Sequence, residues 1–286
     1  MADKVFRGYD QAALDAEYDN RAKVADAASH IERYTADSAA ARQNLPAQLD
    51  LAYGPGDDEG LDVFPAGPGA PVQVFFHGGY WQMLSKDDFS YVARAFQPRG
   101  IATAVVEYSL IPTVDMDELV RQCRAAVAWT WRNAQSFGGD RERLFISGHS
   151  AGGHLVAMLM ATDWPAFDGL PVDTIKGGCG LSGLYDLEPI RLCYLNEVLR
   201  LTPDQVARNS PLALPPGGCG DLSLLLGDRE GPEYQRQSDD LAAAWRRQGA
   251  TVATAALAGQ DHFSIVAQLN DPEAEVSRHI QAQMGA

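Results

Sequence analysis

Ser150 stands in Gly148-His149-Ser150-Ala151-Gly152, directly after the apolar run Leu144-Phe145-Ile146 and directly before His154-Leu155-Val156-Ala157-Met158-Leu159-Met160. This is a G-x-S-x-G pattern in a strand–turn–helix setting, where the turn exposes the serine hydroxyl. Glycines on both sides let the backbone bend without a Cβ clash. A serine hydroxyl is a weak nucleophile by itself. It needs a base, a group that orients the base, and donors for the oxyanion that forms when it attacks a carbonyl. The pentapeptide has value only if those partners lie where such a fold places them.

The partners occur in the required chain order, with the nucleophile first, an acid after a later strand and a histidine last. His262 lies in Ala258-Gly259-Gln260-Asp261-His262-Phe263-Ser264, a loop after the last expected strand. There it is a candidate to take the proton of Ser150. The strand Leu222–Leu226 runs into Gly227-Asp228-Arg229-Glu230-Gly231-Pro232-Glu233, so Asp228, Glu230 and Glu233 share the loop where an acid belongs. Asp228 follows the strand end at once and risks lying too close to the sheet. Glu230 is two residues further out with a longer side chain, and is favoured over Asp228. Carboxylates in this loop that do not serve the histidine are expected to be solvated.

His77-Gly78-Gly79-Tyr80-Trp81 follows the strand Val72–Phe76, about 70 residues before Ser150, the position of an oxyanion-binding glycine loop. Gly78 and Gly79 are expected to present N–H groups beside that of Ala151. His77, His149 and His154 do not share one helix face, and no carboxylate or cysteine completes them as a ligand set, so no metal and no other cofactor is expected. Tyr80 and Trp81 are expected to narrow the acyl side of the pocket and to offer aromatic faces to a substrate. Simple loop packing is the competing role for Trp81.

These residues need a scaffold, and the rest of the chain reads as one. Strand and helix signals alternate: strands at 72–76, 101–106, 143–147, 175–180, 222–226 and 251–256, and helices at 87–96, from Met116 to Gly138, after Ser150, at 233–247 and at 274–283. Alternation of this kind predicts an α/β fold with a mainly parallel central sheet and helices on both faces. Short continuous apolar strands fit that two-sided burial. Leu61–Phe64, between two turn-rich stretches, reads as a strand of a hairpin. Residues 10–44 read as amphipathic helices ahead of the core. A single domain over residues 1–286 is expected, with residues 1–44 as an N-terminal lid element and residues 187–215 as a cap-side insertion.

Composition sets the class. The 286 residues are 46% hydrophobic and 21% charged, an ordinary globular balance, and the net charge of −15 argues against nucleic acid or an anionic membrane as partner. Four dispersed cysteines suit neither a disulfide framework nor a zinc site. The N-terminus shows no apolar leader and no stretch is long enough to span a bilayer, so a cytoplasmic protein is expected, with a small-molecule substrate and a homodimer as the other partner option.

His77-Gly78-Gly79-Tyr80-Trp81, Gly148-His149-Ser150-Ala151-Gly152-Gly153-His154-Leu155 and Leu181-Ser182-Gly183-Leu184-Tyr185-Asp186-Leu187 resemble the serine-dependent kynurenine formamidases (arylformamidases). These are α/β hydrolases related to the hormone-sensitive-lipase group of esterases. The segments Asn196-Glu197, Asn209-Ser210-Pro211-Leu212 and Glu230 to Ser238 extend the similarity over residues 10–270. The resemblance implies the α/β-hydrolase fold with a small helical cap, Ser150 as nucleophile, His262 as base, and Glu230 where many members carry Asp. It implies hydrolysis of N-formyl-L-kynurenine through a formyl-enzyme. Tyr185 and Asn196 are further pocket-lining candidates. A carboxylesterase acting on small acyl esters is the alternative enzyme, and a non-catalytic hydrolase-fold scaffold the alternative from another class.

Overall fold

A computed structural model describes residues 3–286. Its strands are β1 (Gln48–Ala52), β2 (Gly60–Phe64), β3 (Ala70–Phe76), β4 (Ala102–Val106), β5 (Gly139–His149), β6 (Gly177–Leu181), β7 (Asp221–Gly227) and β8 (Val252–Leu257). They form one sheet in the order β1-β2-β4-β3-β5-β6-β7-β8. β2 runs antiparallel to both β1 and β4, and every pairing from β4 through β8 is parallel. The hairpin expected around Leu61–Phe64 is made with β1, a strand that the sequence pattern did not single out because three of its first residues are exposed.

Side-chain alternation in the central strands explains the layering. Val72, Val74 and Phe76 of β3 join one apolar cluster, while Phe75 joins another. Ala104 and Val106 of β4 part from Val105 in the same way, as do Leu224 and Leu226 of β7 from Leu225. Successive residues of a strand point to opposite faces, so each apolar run fills both cores at once. Such strands are stable only with helices on both sides.

The chain begins with α1 (Gln11–Tyr18), α2 (Asn20–Lys23) and α3 (Ala27–Asn44). α1 and α2 are capped by Asp10 and Asp19, whose carboxylates accept the Ala13 and Ala22 N–H groups at 3.1 Å each. α3 lies over residues 86–92, where Tyr34 packs 5.5 Å from Tyr91 and 5.6 Å from Phe89. The helix expected at 87–96 is instead two 3₁₀ turns, Lys86–Asp88 and Ser90–Val92, leading into α4 (Ala93–Phe96). Phe89, Ser90, Tyr91, Val92 and Ala93 are all buried, and five consecutive buried residues do not fit one stripe of a regular helix.

α5 (Met116–Asn133) starts at Asp115, which accepts the Glu118 N–H at 2.9 Å, and buries Leu119, Val120, Cys123 and Val127 along one face. α6 (Ala151–Met160) follows Ser150 and is buried along its whole length. α7 (Trp164–Asp168) leads into β6. Residues 187–215 fold as α8 (Glu188–Leu192), α9 (Asn196–Leu199), α10 (Pro203–Asn209) and a 3₁₀ turn. α11 (Pro232–Arg246), α12 (Ser264–Ala267) and α13 (Glu275–Gln283) complete the cover. No helix among the described residues is long and apolar enough to cross a membrane.

One contact sets where the site can form. A Cβ on Gly152 would lie 2.0 Å from the carbonyl oxygen of Phe76, so the first turn of α6 is pressed against the end of β3. The loop after β3 is therefore held beside the serine. Gly152→Ala is expected to lower unfolding free energy by at least about 1–3 kcal/mol, the usual cost of overpacking, read as a lower urea midpoint. A wild-type midpoint in that variant would show that the approach is not tight.

Candidate active site

Ser150 occupies φ 57°, ψ −116°, a conformation that L-residues rarely adopt. Its N–H donates to the Leu181 carbonyl at 2.8 Å and its carbonyl accepts the His154 N–H at 3.1 Å, so strand β6 and helix α6 hold the turn from both sides. The hydroxyl lies 3.0 Å from His262 Nε2. His262 Nδ1 lies 2.7 Å from Glu230 Oε2. A carboxylate at Nδ1 requires a proton there, which leaves Nε2 to accept from Ser150.

Of the loop carboxylates, Glu230 alone is in reach of the histidine. Its side chain is 1% exposed, and Oε1 accepts the Gly227 N–H at 2.7 Å and the Ser182 hydroxyl. Asp228 turns outward and accepts the Gly259 N–H at 2.8 Å. Glu233 is buried elsewhere, accepting from Tyr18 at 3.2 Å and from Arg236. The extra length of Glu230 is what lets a residue three beyond the strand end reach back toward the sheet.

The loop after β3 is aimed by its carbonyls. His77 Nδ1 sits 2.7 Å from the Gly78 carbonyl and must donate to it, while Tyr108 donates its hydroxyl to the His77 carbonyl at 2.8 Å. In a planar trans peptide the C=O and the following N–H point in opposite directions. Tying back those two carbonyls turns the N–H groups of Gly78 and Gly79 the other way. Neither these N–H groups nor that of Ala151 has a backbone acceptor among the described residues. Gly79 has φ 112°, and a Cβ there would lie 2.0 Å from the Met83 carbonyl oxygen, so only glycine fits. Ala151 is the first residue of α6, where the helix dipole adds to the attraction for negative charge.

The three histidines considered together in the sequence have separate partners. His149 donates from Nε2 to the His262 carbonyl at 2.7 Å, and its Nδ1 is buried without a protein donor. Burial first, and the adjacent His262 imidazole second, hold His149 far below the ordinary histidine range. His154 donates from Nε2 to the Asn209 carbonyl at 2.7 Å and accepts from Trp81 Nε1 at 3.2 Å; burial lowers it to about 4. His77 stacks on Tyr108 with ring centroids 4.1 Å apart.

A pocket of about 250 Å³ opens above Ser150 and His262. Ile31, Tyr34, Met83, Leu84, Phe89 and Phe263 are apolar or aromatic residues of its lining, and Asp19, Asn20, Arg21 and Gln82 are polar ones. Tyr80 is part of the lining, with its hydroxyl donating to the Tyr18 carbonyl at 2.8 Å and held by Asn20 at 3.0 Å. Three other expected lining residues are elsewhere. Trp81 is wholly buried edge-on against His154, at 5.0 Å between centroids, because its indole finds an acceptor there. Tyr185 is buried against Gly183 behind β6. Asn196 binds the backbone of Leu201, accepting its N–H at 2.6 Å, and so closes the turn after α9.

Sequence reading missed Ser182, the His149–His262 link and the pocket residues of the N-terminal helices. Ser182 carried a signal. It directly follows a parallel strand at its carboxyl edge, where ligands and their supporting groups collect in such sheets. The helices carried none, since nothing local says which loop they cover.

The family model BD-FAE matches residues 64–170. A kynurenine formamidase from Danio rerio is 35% identical over 252 residues, covering 85% of this chain and 84% of that protein. One from Salmo salar is 33% identical over 267 residues, covering 90% and 88%. A solved structure from Silicibacter sp. TM1040, provisionally named a thioesterase, superposes with a TM-score of 0.83 at 30% identity, covering 96% of this chain and 99% of that one. The sheet order and the elbow are those of an α/β hydrolase. Within that class, the chain belongs to the kynurenine formamidase family.

The neutral histidines predict a pH dependence of stability. Below about pH 6.5 the unfolded chain takes up protons that buried His149 and His154 refuse, so stability intact above that pH falls as the pH drops, for His154 down to about 4. Each group contributes about 1.4 kcal/mol per pH unit in that window. Urea unfolding at pH 7 and pH 5 is expected to show a loss smaller by roughly 2 kcal/mol in His154→Asn than in the wild type. Equal losses in the two proteins would mean that His154 is not held neutral.

Proposed function

We propose that this chain hydrolyses the formamide of N-formyl-L-kynurenine to kynurenine and formate. The observation that carries the reading is the Ser150–His262–Glu230 relay at the floor of an aromatic pocket, in a chain of the kynurenine formamidase family. Ser150 Oγ attacks the formyl carbon while His262 Nε2 takes its proton. Glu230 keeps Nδ1 protonated and stabilises the imidazolium. The N–H groups of Gly78, Gly79 and Ala151 receive the developing oxyanion, where one such donor is typically worth about 3 kcal/mol.

The tetrahedral adduct then collapses. His262 gives its proton to the aniline nitrogen, the C–N bond breaks and kynurenine leaves. Water, deprotonated by His262, attacks the formyl-enzyme and releases formate. Tyr80 serves as a fixed aromatic wall, since its hydroxyl is held by Asn20, the Tyr18 carbonyl and Tyr234 and is not free for acid–base work.

The same relay would accept a small acyl ester, so the test sets the two substrates side by side. Purified protein is expected to turn over N-formylkynurenine with a higher kcat/KM than p-nitrophenyl acetate. Ester turnover without formamide turnover would sink the formamidase reading. Ser150→Ala should lower kcat on the order of 10⁴-fold or more.

The acid is tested by pairing Glu230→Gln with Asp228→Asn. The first should cost on the order of 10³–10⁴ in kcat, as expected for losing the carboxylate that fixes the histidine tautomer. Asp228→Asn should stay within a few-fold of wild type. The reverse pattern would transfer the role to Asp228.

A further inference from the structure

Apart from the histidines, Asp19 and Arg21 are the ionisable acid and base that line the pocket. They have opposite sign, Asp19 as the N-cap of the short helix α2 and Arg21 within it, and neither is paired with an opposite charge among the described residues. Arg21 has no carboxylate within 4.0 Å among the described residues; its Nη2 lies 3.3 Å from the thioether of Met83, a weak acceptor. Asp19 uses Oδ1 to cap Ala22, and its Oδ2 has no donor among the described residues. Nearby, Lys23 is paired with Glu17 at 3.3 Å, and Asp15 is occupied by the Gln11 amide at 2.9 Å and the Tyr194 N–H at 2.8 Å.

The residue between them anchors the pair. Asn20 is buried and donates to Tyr80 at 3.0 Å and to Tyr234 at 2.7 Å. The Tyr234 ring lies 5.1 Å from the His262 ring. The backbone that carries both charges is thus tethered through Asn20, and Asp19 and Arg21 line the same pocket as Ser150. Tyr194 lines the same pocket. Its hydroxyl is pushed up to about 12, first by burial, then by Asp19, Cys193 and Asp15, with Arg21 opposing.

We propose that Asp19 and Arg21 form a subsite for the zwitterionic α-amino-acid group of an aryl formamide, Arg21 taking the carboxylate and Asp19 the ammonium. The inference rests on the formamidase reading above and names the part of the substrate that the relay does not touch. With the formyl carbon at Ser150 and the aryl ring against Ile31, Leu84 and Phe89, an amino-acid side chain ortho to the formamide extends toward α2. Arg presents a planar fork that suits a carboxylate, and the free Oδ2 of Asp19 is an anionic acceptor that suits an ammonium. A simple ester has no group for either charge. Because Arg21 is exposed, the attraction is moderate and salt-sensitive.

The test compares kcat/KM for N-formylkynurenine and for 2′-formamidoacetophenone, which keeps the ring and formamide but lacks the amino-acid group. The measured quantity is the ratio of the two in wild type, Arg21→Gln and Asp19→Asn. Asn at position 19 keeps the N-cap acceptor, so α2 remains capped. Arg21→Gln is expected to lower the ratio about tenfold, mainly through KM, and 0.5 M salt should narrow the difference between the proteins. Asp19→Asn should lower the ratio at least threefold. A ratio within threefold of wild type in Arg21→Gln, or equal losses on both substrates, overturns the subsite; the same result in Asp19→Asn alone removes the ammonium half. If wild type cleaves neither formamide, the formamidase reading falls and the subsite falls with it.

Discussion

The site depends on a strained turn held in place by backbone contact. Ser150 sits at φ 57°, and a residue in such a region costs on the order of 1–3 kcal/mol unless its surroundings enforce it. Here β6 accepts its N–H, and the first turn of α6 lies against the end of β3 with no room for a Cβ at Gly152. Loosening this contact would release the serine from its exposed position and part the loop after β3 from the N–H of Ala151. The position of the glycine loop and the exposure of Ser150 are therefore set by one packing event.

A second layer converts that position into an aligned relay. Glu230 is fixed by the Gly227 N–H and the Ser182 hydroxyl, so its second oxygen faces His262 without rotamer freedom. The histidine is held through its carbonyl by His149, a ring kept neutral by burial. A neutral Nε2–H donor beside the relay adds a hydrogen bond without adding a competing charge. The loops after β5, β6, β7 and β8 meet here because parallel strands present their carboxyl ends at one edge of the sheet.

The pocket above is made by a different part of the chain. Tyr18, Asn20, Tyr80 and Tyr234 share hydroxyl, carbonyl and amide bonds, and Tyr34 donates to the Phe263 carbonyl, so the N-terminal helices are tied to the relay's own loops. Each bond joins residues some 60 to 230 positions apart. Buried aromatic rings with satisfied hydroxyls give large contact area with few rotamers, which suits a wall that must hold its shape.

What could be read from the chain itself was which residues meet at the candidate site. Ser150, His262 and the glycine loop at Gly78 and Gly79 reveal themselves through short motifs bounded by strand and helix patterns, because strand-to-loop geometry is local and chain order follows the sheet. Even the preference for Glu230 over Asp228 follows from side-chain length and distance to the strand end. The alternating apolar pattern likewise predicts the layered sheet, though not the edge strand β1, whose exposed face leaves little pattern. Tertiary structure alone decided what surrounds the serine. Trp81, Tyr185 and Asn196 sit in motifs near the site, yet an indole acceptor, a packing space and a backbone donor draw them away from the pocket. Asp19, Arg21, Ile31 and Tyr34 carry no motif and come to the pocket only because the N-terminal helices fold over a sheet edge assembled from residues far along the chain. A local rule can place a nucleophile, but a pocket wall is a long-range contact and exists only once the chain has closed on itself.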